Sequence, residues 1–113
     1  MAKPQTRPYS RYTQDATGLM GDLIRKARLE RKQTLEDLAE RAGISRGLLQ
    51  RIERGDPGCA IGAVFEVAAL SSIPLFGLDR DQLRNTVRQM EETLTLLPKA
   101  ARGVARKPVK DDF

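Results

Sequence analysis

The side chains best suited to recognising another molecule lie between Ser45 and Arg54. On a wheel of about 100° per residue, Arg46, Gln50, Arg54, Gly47 and Arg51 share an arc of roughly 140°. Leu48, Ile52 and Leu49 fall on the other side. Three guanidinium groups and one amide with no acid among them suit base edges, since Arg pairs with guanine and Gln with adenine. The N-terminal half of this face has no bulky apolar residue, a shape that can enter the DNA major groove. A solvated surface face, which mixes acids with bases more often, is the bland alternative.

Other chemistry is hard to assemble from this composition. The 113 residues include no His and one Cys, Cys59. A Cys/His zinc site and a His-based triad are therefore excluded, and no intramolecular disulfide can form. The neighbouring acids Glu36/Asp37 and Glu91/Glu92 point apart on a helix and make no acid/base dyad. No catalytic role, cofactor or metal is expected, and Cys59 reads as an inert, partly buried thiol rather than a redox sensor. No apolar run approaches the roughly 20 residues of a membrane helix. The start lacks a signal-peptide stretch, so a cytoplasmic, nucleoid-associated protein is expected.

The candidate face needs elements to hold it. Leu19, Leu23, Ile24 and Ala27 recur at helical steps and predict a first helix from about Ala16 to Arg31. Thr34-Leu35-Glu36-Asp37 has an N-cap residue and first-turn acids, predicting a second helix that Gly43 stops. Ser45 can cap a third helix, ended near Gly55. Gly55-Asp56-Pro57-Gly58 is a turn by composition. Ile61, Val64, Phe65 and Ala68 mark a fourth helix, broken by Ser72-Ile73-Pro74. Asp79-Arg80-Asp81-Gln82 resembles a capping arrangement for a fifth, closed by Pro98. A short helix, a Gly-containing turn and a second short helix form a helix-turn-helix unit.

Charge places these elements in context. The net charge is +5, with 20 basic and 15 acidic residues. Residues 18–98 balance, so the excess belongs to the segments 1–17 and 99–113. Two readings compete for those tails: solvated and disordered, or drawn to a polyanion. Tyr9 and Tyr12 beside Arg7 and Arg11 offer stacking on bases, against the plainer reading of a flexible arm.

The stretch IRKARLERKQTLEDLAERAGISRGLLQRIERG resembles the helix-turn-helix of the lambda repressor/Cro group, the XRE family of transcriptional regulators, over residues 18–78. The resemblance implies a five-helix, all-α DNA-binding domain that works as a homodimer on a palindromic operator in double-stranded DNA. Its base-reading positions map to Ser45, Arg46, Gly47, Gln50 and Arg51, and a structural ion pair maps to Arg28 and Glu53. Many members carry a phosphate-contacting Gln where this chain has Leu35. Phosphate clamping is therefore expected from Arg25, Thr34, Arg54 and the helix amides. RIERGDPGCAIGAVFEVAALSSIPLF and the Lys110-Asp111-Asp112-Phe113 ending are similar to HipB-like antitoxins, which repress their own toxin-antitoxin operon and bind a HipA-type kinase toxin. That similarity implies a short dimer-pairing strand at Ile73–Leu78, including Leu75 and Phe76.

Leu83, Val87, Met90, Leu94 and Leu97 form a heptad-like seam, read either as a dimerisation face or as a helix folded on its own domain. The expected organisation is a basic arm (1–17), a helix-turn-helix domain (18–78), a dimerisation helix (79–98) and a basic flexible tail (99–113). The reading is a DNA-binding repressor. The alternatives are a primarily kinase-binding antitoxin, a stand-alone XRE-type regulator and an RNA-binding module, the last without the usual aromatic stacking surface.

Overall fold

The computed structural model describes residues 8–99, all-α with five helices and no strand among them. The chain divides into two compact units between Gly77 and Leu78. The first holds α1 (Arg11–Glu30), α2 (Leu35–Ala42), α3 (Arg46–Glu53) and α4 (Ile61–Leu70), and the second holds α5 (Arg80–Thr95).

Helix α1 begins five residues before the expected start at Ala16. Ser10 caps it by accepting from the Thr13 amide, and Arg11 pairs with Asp15 one turn on at 3.3 Å. This first turn is exposed, with Tyr12 87% accessible, so no apolar repeat betrays it. The segment read as an arm to residue 17 is thus helical from Arg11. The basic tail, from Ala100 onward, and the residues before Pro8 lie outside the described residues.

Helix α2 starts in a capping box: Thr34 Oγ1 accepts from the Asp37 amide at 3.0 Å, and the Thr34 amide donates to Asp37 at 3.3 Å. Gly43 ends it in the left-handed conformation. Ser45 then caps α3 by accepting from the Leu48 amide at 3.0 Å. The core of the unit is Ile24 from α1, Leu38 and Ala39 from α2, Leu49 and Ile52 from α3, and Val67 and Ala68 from α4. Each of the large aliphatics contributes about 1.5–3 kcal/mol by burial. Cys59 is half-buried against that core.

Two close approaches set how α1 lies on α3. A Cβ at Gly21 would stand 2.5 Å from the Ile52 carbonyl oxygen and 2.7 Å from that of Glu53. Gly55, with φ +79°, would place a Cβ 2.7 Å from the Gly18 Cα. Arg31 ties α1 to the end of α4, donating to the Leu70 carbonyl at 2.8 Å and to Ser72 Oγ at 2.9 Å.

The strand expected at Ile73–Leu78 is absent from the single chain. Phe76 and Gly77 take φ +56° and +71°, a tight reversal that leaves only single bridge residues at Leu75 and Leu78. Helix α5 opens in a second capping box, with Asp79 accepting from the Gln82 amide at 2.8 Å. It ends at Thr95, short of Pro98, so Leu97 lies beyond the regular helix.

The Gly21 contact predicts a contrast between neighbouring glycines. Gly21→Ala should destabilise the fold by about 1–3 kcal/mol, because carbonyl groups cannot yield as side chains do. Gly18→Ala, whose Cβ meets nothing within 4 Å, should instead be neutral or stabilising, by up to about 1 kcal/mol. Urea denaturation of the two variants measures the difference.

Candidate nucleic-acid interface

The orientation of α3 comes from its inner side. Arg28 of α1 reaches Glu53 of α3 through two hydrogen bonds, Nε to Oε2 at 2.8 Å and Nη2 to Oε1 at 3.0 Å. The side chains are only 11% and 6% exposed. The same guanidinium donates to the Gln33 carbonyl at 3.0 Å, just before the Thr34 cap. The hydrogen bond that Arg28 donates to Glu53 raises the Arg28 pKa, against the opposing effect of burial. The ion pair expected between these residues is present.

With Leu49, Ile52 and Glu53 buried, the other side of α3 faces outward. Ser45, Arg46 and Gly47 are exposed, Gln50 is half-buried, and Arg54 follows as the exposed C-cap residue. Among the described residues, Arg46, Arg54 and Arg25 join no ion pair. In the first turn of α3, the Ser45 cap satisfies the Leu48 amide, while the amides of Arg46 and Gly47 have no predecessor in the helix to bond. Such a turn presents N–H groups and the positive end of the helix dipole to an anion. The Thr34 oxygen accepts from Asp37, so toward a phosphate this hydroxyl serves as a donor.

Arg51 behaves differently from its neighbours. Its Nε donates to Asp56 Oδ2 at 2.8 Å, while Asp56 Oδ1 accepts from the Gly58 amide at 2.8 Å. The Gly58 amide, followed by Arg51, holds the Asp56 carboxyl below its usual range. Asp56 in turn raises the Arg51 pKa. A depressed carboxyl pKa means the tether stands at neutral pH and is lost only as acid protonates Asp56 below the ordinary carboxylate range. Asp56 was absent from the sequence-derived site. Its Asp-Pro-Gly setting, which favours side-chain-to-backbone turns, was the available signal.

A family model described as a helix-turn-helix domain matches residues 19–85. The chain belongs to that family. Helix-turn-helix proteins of this kind are DNA-binding regulators, and α2, the Gly43 turn and α3 are its defining unit. No curated protein matches the chain. No helix among the described residues is long and apolar enough to cross a membrane.

The residues assigned to dimerisation fall in both compact units, Leu75 and Phe76 in the first and the others in the second. Leu75 is half-buried against the core of its own helix-turn-helix unit. The short reversal at Phe76-Gly77 directs it there. Phe76 is 76% exposed and meets Phe65 edge-on at a centroid distance of 6.0 Å. Leu83, Val87, Met90 and Leu94 lie on α5, which buries no residue, and Leu97 follows its end.

The Arg51–Asp56 tether predicts a measurable effect on binding. Asp56→Asn should free Arg51 and remove a nearby negative charge. Affinity for random duplex should rise, and the slope of log K against log salt should steepen by about one phosphate contact. Fluorescence anisotropy across a salt series reads both quantities, and an unchanged slope would show that freeing Arg51 adds no phosphate contact.

Proposed function

We propose that the protein is a transcriptional repressor that binds a palindromic operator as a dimer, with one α3 in the major groove of each half-site. The observation that carries this reading is the outer face of α3, where Arg46 is exposed and Gln50 half-exposed, Arg46 without an acidic partner among the described residues. Arg46 and Gln50 read base edges, and Ser45 with the first-turn amides fixes the approach of the helix. Gly47 adds no side chain and lets the backbone come close. Arg25, Thr34 and Arg54 hold phosphates, and Arg51 reads a base in the direction that Asp56 imposes. The protein acts by contact, without catalysis, cofactor or metal, in the cytoplasm on the nucleoid. Half-sites recur about 34–36 Å apart on one side of B-DNA, which two linked copies can match.

The similarity of residues 51–76 to HipB-like regulators supports a narrower form, an autoregulating XRE-type antitoxin with a HipA-type kinase as partner. Exposed Ile61 and Phe76 offer apolar surface on that segment. Co-purification with the product of an adjacent kinase-like gene would separate this form from a stand-alone regulator.

Footprinting on DNA upstream of its own gene tests the main reading. Two symmetric protected half-sites are expected, and absence of protection there would remove autoregulation. At the recovered site, Arg46→Ala should lose about 1–3 kcal/mol and relax the preference at one base pair of each half-site. An equal loss on random duplex would reduce Arg46 to a phosphate contact.

A further inference from the structure

Helix α5 presents an apolar stripe in which Leu83 is half-buried and Val87, Met90 and Leu94 are 48%, 54% and 58% exposed. The stripe has spacings of four, three and four residues, which read the same from either end. Its midpoint, between Arg88 and Gln89, lies near the middle of Arg80–Thr95. A second copy of the helix laid antiparallel therefore meets the first over all four layers, with Leu83 against the partner's Leu94 and Val87 against the partner's Met90.

The flanking charges distinguish the two orientations. With Val87 and Leu94 at the a positions and Leu83 and Met90 at d, Arg84 and Glu91 both occupy e positions. In an antiparallel pair, e positions face e positions, so Arg84 meets the partner's Glu91 twice across the symmetry axis. In a parallel pair, e faces g, and the g positions are Asp79, Thr86 and Thr93. Glu91 would then face a threonine, and Arg84 would face an Asp79 carboxylate already occupied as the N-cap.

We infer that α5 forms an antiparallel two-helix contact with α5 of a second copy, with Leu83, Val87, Met90 and Leu94 in its seam and Arg84–Glu91 pairs on its flanks. This rests on the dimeric reading above and specifies which segment joins the two copies and in what orientation. About two heptads make a weak coiled coil on their own, so the contact is strengthened when a palindrome holds both copies.

Cysteine pairing in the full chain tests the orientation, with Cys59→Ser as the background. Val87→Cys and Met90→Cys proteins, mixed and oxidised, should cross-link to each other far more than either does alone. Efficient cross-linking of Val87→Cys with itself would indicate parallel helices and overturn the inference. Absence of any cross-link would overturn it as well. Arg84→Glu or Glu91→Arg alone should weaken self-association by roughly tenfold, because two attractions become two repulsions. The double swap should restore it, which a parallel pair would not do. Sedimentation with the footprinted palindrome distinguishes the two levels. Two copies on the DNA without α5 cross-linking defeats only this inference, whereas a single bound copy defeats the dimeric reading itself.

Discussion

The helix-turn-helix unit depends on one buried ion pair. Arg28 and Glu53 lie where α1 crosses the end of α3, and the same guanidinium holds the carbonyl of Gln33 ahead of α2. A buried pair of this kind is weak evidence of net stability, because desolvation offsets much of the attraction, but losing one partner leaves a charge stranded. Its more specific effect is geometric. A bidentate fork fixes direction as well as distance, so the start of α2 and the end of α3 are positioned by one side chain. The glycine at position 21 lets the two backbones come close enough for that fork to close. Once the inner side of α3 is held, its outer face has one rotation about the helix axis.

The cations divide into those turned inward and those left facing solvent. Arg28 joins α1 to α3 and to the loop before α2, Arg31 closes the end of α4, and Arg51 is drawn onto the turn after α3. Arg25, Arg46 and Arg54 remain exposed without an acidic partner among the described residues. The three-arginine face on the wheel thus becomes two free arginines and one held by a carboxylate. Net charge carries little information about this division, since it counts an arginine in a buried pair and one facing solvent alike.

Much of the arrangement was legible in the chain. Thr34, Gly43, Ser45 and Asp79 act locally, through bonds to residues within a few positions, and each caps or ends a helix where its type and spacing indicate. The Arg28–Glu53 pair came from family resemblance, because no local rule joins positions twenty-five residues apart. What escaped was tertiary or masked by exposure. Gly21 looks like a weak point in a helix until α3 is packed against it. The first turn of α1 has no apolar side chain to bury, so periodicity is silent there. At Ile73–Leu78 the HipB-like resemblance implies a strand, yet Phe76 in a left-handed conformation turns the chain back.

Gly47 stands on the exposed first turn of α3 with no atom within 4 Å of where a side chain would begin. Most recognition surfaces are constrained because each contact residue also supports the fold. Here the two roles are separated at one position, where a new side chain faces only what the helix approaches. The scaffold can therefore acquire a different target preference at this position without repacking its core.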